Sequence, residues 1–583
     1  MVHGAGNLLD WGFIMKIRIG IEISIISVKA RLLMISVFAL FFTLSSRSQN
    51  VFTVDTLSTL VDGLYSPYNQ VEPGDTIFLE AGMRRLIRIR NLTGAPGKPV
   101  VIINKNGKVV FDSDYTYGIS ILNCRYIRVT GSGDPDHFYG IVINQVTNGT
   151  GIGISGMSSD YEIDHLSISY CKSVGIFAKT DPDCGFLSTR DKFIQFNTII
   201  HDNYVSHTGT EAMYIGSTQY FGQKITCNGV DTLLMPSLLD GVKVYNNKID
   251  SCGWDGIQVT SASKNCRIYN NEILNYSLAE SYGQMSGIII GGGSKCDCYN
   301  NLISQGKGMG IESFGLGGQK IYNNIILDAG KNFFPADTNR QVHGIFVTDI
   351  TTQADSSLYI FNNDIINPMS DGIRFQSTIT RGNIVASNLI VNPGNFDHYE
   401  NEKKGHRGKD SYVMLTSANT EIALMNNFFT RSLDSAKISE SNYIPRPGSP
   451  LINSGWPGST GINFDFLGNL RPIGKACEIG ALEFDPATVG LTIQQADKAY
   501  GSTIFPNPVK GLTTISYHFS RAGRTTILIY DLQGHIVFKK EEEYLADSYS
   551  KIQFDASRLE NGLYLYLIKK GVESLSGKLM KIN

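Results

Sequence analysis

Carboxylates, aromatic rings and one arginine recur at fixed places in a short motif along the middle of this chain. The motif is x-Gly-Ile-x-apolar, and it occupies residues 255–259, 286–290, 309–313, 343–347 and 371–375. Side chains alternate across a strand, so the aliphatic residues share one face and the residue between them points to the other. If the aliphatics face inward, the outward column reads Gln258, Ile289, Glu312, Phe346 and Arg374; aligning residues 211–215 adds Tyr214. The residue before each glycine stands at the strand entrance: Glu211, Asp255, Ser286, Met309, His343 and Asp371, with Trp254 ahead of Asp255. Aromatic rings stack on pyranose faces and carboxylates do acid–base work, so this face suits a sugar. The candidate catalytic residues are Asp255, Glu312, Asp371, Arg374 and Glu211. The candidate substrate contacts are Tyr214, Trp254, Gln258, His343 and Phe346.

For hydrolysis the leading pair is Asp255 and Glu312. They stand two strands apart, about 9.6 Å at ordinary strand spacing, near the wide end of the ~6.5–9.5 Å separation of inverting glycosidases. An offset along the strand widens this, so Asp371 or Glu211 is kept as a partner. The bland reading of Asp255 is a corner-forming turn residue. Elimination instead needs a cation to neutralise a uronate and a base to remove its C5 proton. Arg374, Arg340, Lys307 and Lys331 are candidate cations, and Asp240, Asp349 or Asp371 could hold calcium if the reaction is of that kind. His201, Asp202 and His207 form a compact polar group near Glu211, but their spacing is a weak metal signature and no metal is assigned.

What must position these residues is a repeat. Apolar-x-Asn-Asn-x-[Ile/Leu] returns with second asparagines at 247, 271, 301, 324 and 363, and weaker copies contain Asn197, Asn388 and Asn427. From Asn247 to Asn388 the steps are 24, 30, 23, 39 and 25 residues. A step near 24 reads as one coil of short strands; 30 and 39 read as a coil plus an insertion. Coils of this size stack to bury one aliphatic column and pair each strand with its neighbours. Asparagine fits the tight corners because it tolerates the left-handed region, and stacked asparagines can bond along the ladder. The ladder is expected to comprise Asn197, Asn247, Asn271, Asn301, Asn324, Asn363, Asn388 and Asn427. Cys266 and Cys296 fall at equivalent places one coil apart, and stacked inward thiols are favoured over a bridge. Leu57, Leu60, Val61 and Leu64 fit one face of a short helix that would plug the end of the column.

On these motifs the chain resembles the right-handed parallel β-helix proteins of the pectate-lyase-like superfamily, over residues 70 to 485. Val71-Glu72-Pro73-Gly74-Asp75-Thr76-Ile77 is similar to the first coil of many such enzymes, and residues 449–453, 465–468 and 479–483 to the last coils of bacterial members. Residues 254–257, 308–311 and 372–375 are similar to three steps of the polygalacturonase family. That pattern's paired aspartates are missing at Ser286-Gly287, its histidine is Met309 and its lysine is Gln376 or Phe375. The resemblance implies an all-β fold, a right-handed parallel β-helix followed by a small β-sandwich. It also implies a secreted or surface protein acting on a polysaccharide, by hydrolysis or elimination. The rival is a non-catalytic, glycan-binding or adhesin-type β-helix.

Both ends read as addresses. Lys29 and Arg31 precede an apolar run over 32–44 and then small polar residues, a signal-peptide pattern within residues 1–49 whose true start could be Met15. Residues 50–69 are expected to cap the solenoid and 486–500 to link it to the tail. Ile504-Phe505-Pro506-Asn507-Pro508 is followed by alternating strands over 513–519 and 526–530, the turn Asp531-Leu532-Gln533-Gly534 and a hairpin start at Leu559-Glu560-Asn561-Gly562-Leu563-Tyr564. On these, residues 501–583 resemble the type A sorting domain of the type IX secretion system of the Bacteroidetes. That implies export through the periplasm and recognition by the secretion machinery, with the product secreted or held at the outer-membrane surface. The 583 residues carry a net charge of −2, which argues against a nucleic-acid partner. No second long apolar run follows, so no membrane span is expected. A monomer is expected. Nine cysteines in an exported chain leave the disulfide state open.

Overall fold

The computed structural model describes residues 51–134, 136–333, 340–394, 411–440, 442–458, 460–484 and 486. In the C-terminal part it describes 502–505, 509–518, 523–531, 536–544, 549–560, 562–570 and 573–581. The signal-peptide region, nearly all of the linker and residues 506–508 and 532–534 lie outside the described residues.

The middle of the chain is a parallel β-helix with two long faces. Twelve parallel strands form one sheet among the described residues, from Leu60–Asp62 to Val413–Leu415. This sheet contains every x-Gly-Ile-x-apolar segment. The other large sheet bends at a corner in each coil. Its strands before the corner include Lys243–Tyr245, Cys266–Tyr269, Cys296–Tyr299 and Lys320–Tyr322; those after it include Lys248–Cys252, Glu272–Leu274, Leu302–Ser304 and Ile325–Leu327. Register is in phase from coil to coil: Ile268 opposes Cys298, and Ile273 opposes Ile303. Inward residues such as Ile257, Ile273, Ile288, Ile303 and Ile311 are fully buried and form one continuous column. The motif glycine is where the coil wall is thinnest. A Cβ at Gly310 would lie 2.5 Å from the Gly344 carbonyl oxygen and 2.5 Å from the Ile326 side chain.

The two asparagines at each corner divide the work. The first takes the left-handed conformation, with φ of 54° at Asn246, 56° at Asn270 and 55° at Asn300. The second turns inward. Asn271 Nδ2 donates to Asn301 Oδ1 at 3.0 Å, and Asn301 repeats this toward Asn324 at 2.9 Å. The same Oδ1 also accepts the backbone N–H of the coil before it, as from Asn271 to Asn301 at 3.1 Å. The ladder runs Asn203, Asn247, Asn271, Asn301, Asn324, Asn363, Asn388, Asn427. Asn203, not Asn197, holds the first place. Asn197 is the corner residue of an earlier bend, with φ of 45°, and binds Asp160 instead.

Three other expectations are corrected. Residues 57–64 form no helix. Asp55 Oδ1 accepts the N–H groups of Leu57 and Ser58 and turns the chain into the strand Leu60–Asp62, which pairs with Ile87–Arg90. Only Val61 faces the core, while Leu57 is 89% and Leu64 67% exposed. Cys266 and Cys296 do stack, with Cα atoms 4.4 Å apart, but they form a disulfide; Cys184–Cys227 is a second one. The closing stretch does not simply add coils. Leu451, Ile479, Ala481 and Leu482 pack against Ile325, Leu327, Ile366, Leu389 and Val391, on the outside of the strands after the corner. Those strands are therefore covered on both faces, as their unbroken apolar runs require. Asn323 and Asn362 donate to the carbonyls of Phe464 and Glu478, tying this strap down.

The C-terminal part is antiparallel. A three-stranded sheet contains Leu512–His518, and a four-stranded sheet contains Gly523–Tyr530, with Gly562–Lys570 and Glu573–Lys581 as its last hairpin. Their shared core includes Ile515, Tyr517, Ile527, Ile529, Ile552 and Ile568.

Candidate active site

The outward column of the twelve-stranded sheet is in the expected register. Tyr214 opposes Gln258, Gln258 opposes Ile289, and Ile289 opposes Glu312; Glu312 opposes Phe346, which opposes Arg374. Its exposure is uneven. Gln258 and Ile289 are buried at 2%. Beyond them, from Glu312 onward, the column opens into a groove of about 420 Å³.

Glu312, Phe346, Arg374 and Gln376 form the floor of this groove, and His343 and Met309 its edge at the strand entrance. Two insertions build the walls. Tyr282, Gly283 and Met285 come from the 30-residue coil, and Phe333, Arg340, Gln341 and Val342 from the 39-residue one. The Arg340 guanidinium lies 5.2 Å from the ring centres of both Tyr282 and Phe333. The insertion over residues 218–238 contributes nothing to this lining. That insertion forms the hairpin Gln223–Cys227 with Val230–Leu234 and is tied by the Cys184–Cys227 disulfide.

Glu312 Oε2 accepts from Ser286 Oγ at 3.0 Å. Burial pushes its carboxyl up to about 6, while the serine bond pulls the other way. This is the range in which a carboxyl exchanges protons near neutral pH. His343 is almost fully buried behind the groove edge, and its Nδ1 accepts the backbone N–H of Asp371 at 3.2 Å. The accepting Nδ1 leaves the ring proton on Nε2. Burial, with the Arg374 charge, lowers the imidazole to about 3, so it stays neutral. Asp371 binds Arg374 Nη1 at 3.0 Å and the N–H of Ser411 at 2.8 Å. Burial raises its carboxyl, against those two bonds. Arg374 also donates to Gln341 at 2.6 Å.

Asp255 is fully buried and does not line the groove. Its Oδ1 accepts the N–H of Ser286 at 2.8 Å, the bond that Asp371 makes to Ser411 further along. The same aspartate–backbone link at two strand entrances is the turn role weighed for Asp255. Its Oδ2 has no hydrogen-bond partner among the described residues, and burial together with the charges of Glu211 and Glu312 holds the carboxyl well above the ordinary range. Glu211 is likewise buried and raised by desolvation. Trp254 and Tyr214 also stand outside the groove lining. Tyr214 pairs with Phe177 at 5.2 Å under Lys179.

The polar group around His201 is an ion network. Arg128 binds Glu162 at 3.1 Å and Asp164 at 2.7 Å, and His201 bridges Glu162 at 3.1 Å and Asp202 at 2.6 Å. Burial lowers the His201 imidazole, but its bonds to Asp202 and Glu162 win and push it up to about 9. Glu162, Asp164 and His201 are the one group of described residues with ligand-type atoms this close together. Arg128 and a protonated His201 already balance its acids. His207 stacks on Tyr170 instead. Asp240 binds Asn265, Asp349 binds the Thr378 N–H, and Asp371 is paired with Arg374. Among the described residues, none of the three candidate calcium ligands belongs to a cluster of ligand-type side chains.

The sequence reading also missed a ring stack. His201, Tyr245, Tyr269, Tyr299 and Tyr322 stack face to face at 4.6, 4.9, 5.0 and 4.7 Å. Its signal was in plain view, as the tyrosine before the Asn-Asn pairs at 246–247, 270–271, 300–301 and 323–324. Stacked faces cover one another, so this column reinforces the solenoid and offers no platform to a sugar.

Residues 224–429 match the family model of the right-handed beta helix region, and residues 503–582 that of the secretion system C-terminal sorting domain. No curated protein matches the chain. Similar solved structures include pectate lyase Pel9A, at 13% identity and a TM-score of 0.35, covering 76% of this chain and 98% of that one. Another is the enzymatically active domain of tailspike protein 4 of bacteriophage CBA120, at 11% identity and a TM-score of 0.21, covering 83% of this chain and 60% of that one. A third is a tailspike protein mutant of E. coli bacteriophage HK620 in complex with pentasaccharide, at 10% identity and a TM-score of 0.24, covering 92% and 89%. Among the described residues, no helix is long and apolar enough to cross a membrane.

Proposed function

Starting from a chain that is a right-handed β-helix carrying a type IX secretion sorting domain, and so is exported, we propose that it cleaves a polysaccharide. The observation that carries this reading is Glu312, whose carboxyl is pushed up to about 6 on a groove floor shared with Phe346 and Arg374, between walls that include Tyr282 and Arg340. Glu312 is the acid–base residue, the rings face the sugar, and the arginines take its acidic groups.

The lining favours elimination over hydrolysis. Hydrolysis by two carboxylates needs a second one at the substrate. Asp255 and Glu211 are buried away from the lining, and Asp371 stands behind Arg374. Elimination needs one base and a cation. Glu312 takes the C5 proton of a uronate, the C5 electron pair forms the C4=C5 double bond, and the C4–O bond breaks. The departing oxygen takes a proton from water. Passage through the periplasm and a monomeric state belong to the same proposal.

The test is incubation with a panel of neutral and uronate-bearing polysaccharides. New reducing ends and the ultraviolet absorbance of unsaturated uronates are followed together. Both rise in elimination, and reducing ends alone rise in hydrolysis. Binding with neither signal supports the glycan-binding reading.

A further inference from the structure

Glu312 does not stand alone on the groove floor. Its Oε2 is bonded to Ser286 Oγ at 3.0 Å, one coil away, and Ser286 is completely buried. The backbone N–H of that serine is held in turn by Asp255 Oδ1 at 2.8 Å, from the coil before. Three consecutive coils thus contribute one link each. Register makes this arrangement stiff: Ser286 sits directly opposite Met309, and Ile288 opposite Ile311, in an unbroken parallel pairing. Ser286 also interrupts the series of residues at the strand entrances. A carboxylate there, as at Asp255 or Asp371, would put a like charge against Glu312. A serine instead brings a hydroxyl that can donate.

We propose that Ser286 is the positioning residue of the groove: its hydroxyl aims the Glu312 carboxyl and sets the pH at which it loses its proton, while Asp255 fixes the backbone from which the hydroxyl is presented. The inference deepens the reading of Glu312 as the acid–base group and rests on it only for its use, not for its geometry.

Several groups face this carboxyl. The entrance strand brings Ser286, with Asp255 behind it and Glu211 beside Asp255. The following coils bring Phe346 and Arg374, the latter neutralised in part by Asp371. The groove edge and walls bring His343, Arg340 and Tyr282. His343 is neutral throughout the relevant range, so its charge does not change as Glu312 titrates. A hydroxyl donating to a carboxylate stabilises the ionised form, so removing it must raise the Glu312 midpoint.

The experiment is infrared difference titration of the full exported chain, with Glu312→Gln as the blank that isolates the Glu312 band. The native midpoint is expected near 6. Ser286→Ala should move it upward by about one unit, the size expected for a lost hydrogen bond to a charged group. Ser286→Cys, nearly isosteric but a poor donor, should move it the same way and serves if the alanine variant does not fold. Asp255→Asn keeps the acceptor for the Ser286 N–H and should leave the midpoint in place. An unmoved midpoint in folded Ser286→Ala or Ser286→Cys overturns the proposal, as does a large movement in Asp255→Asn. If the midpoints move as stated but no polysaccharide is cut, the positioning stands and the cleavage reading falls.

Discussion

Asn271 Nδ2 and Asn301 Oδ1, one coil apart, are joined by a 3.0 Å hydrogen bond, and the same oxygen holds the backbone N–H of Asn271. One buried side chain therefore serves two donors of its neighbour. Replacing Asn301 by leucine strands the Asn271 N–H, while Asn271 Nδ2 keeps the Val244 and Tyr269 carbonyls; an unsatisfied buried polar group costs on the order of 1–3 kcal/mol. Thermal unfolding should show a clearly lower Tm, with the native sheet signal retained below it.

The bridge between Cys266 and Cys296 lies inside this same ladder, where register already holds the two residues together. Cys184–Cys227 closes a longer loop, of 43 residues, around an insertion whose own hairpin stands outside the two large coil sheets. A double change of Cys184 and Cys227 to serine should therefore cost more protease resistance in residues 218–238 than the matching change at 266 and 296. Limited proteolysis with mass mapping reads this directly.

Gly310 tests the close approach of coils. Its Cβ would come within 2.5 Å of the Gly344 carbonyl oxygen, a contact with backbone that no side-chain rotation relieves. Gly310→Ala should destabilise the solenoid by about 1–3 kcal/mol, as overpacking does. Denaturant unfolding should show the midpoint falling without a change in slope.

Asp364 links stability to pH. It is buried under the closing strap and accepts the Ala481 N–H at 3.0 Å, and burial pushes its carboxyl up to about 7 from 3.8. The folded state thus binds the proton more tightly than the unfolded chain. Its contribution is fully present below pH 3.8 and is lost as pH rises through about 7. Asp364→Asn keeps the acceptor and removes the titration. Its stability relative to the native chain should grow between about pH 4 and pH 7, by a few kcal/mol at most. A difference independent of pH would contradict the assignment.

The solenoid was legible because its signals are periodic. Asn-Asn corners and Gly-Ile strands each report a repeated backbone requirement, and the outward column from Tyr214 to Arg374 followed from them residue by residue. The site was less legible because insertions decide it. Period places Gln258 and Glu312 on one face, but not that the first is covered and the second open. Tyr282 and the Phe333 wall belong to no repeat, so nothing in the pattern marked them. At its strand entrance Asp255 reads as an acid or as a turn residue; its burial and its bond to the Ser286 N–H place it as a brace of that entrance. The strap over residues 449–483 was read as further coils because its motifs follow the repeats in order. The apolar runs Ile325-Ile326-Leu327 and Leu389-Ile390-Val391 were the overlooked sign that the strands' outer face is covered.

Reducing ends and unsaturated-uronate absorbance, measured together on the polysaccharide panel with the native chain and with Glu312→Gln, test the central claim most directly. The account predicts that both signals appear with the native chain on a uronate-bearing polymer. Their rate should rise as pH passes through about 6, where Glu312 becomes the free base. Both should fall at least 100-fold in Glu312→Gln, the scale of a lost general base, with the fold intact. Near-native cleavage by Glu312→Gln, or no cleavage of any polymer by the native chain, would contradict it.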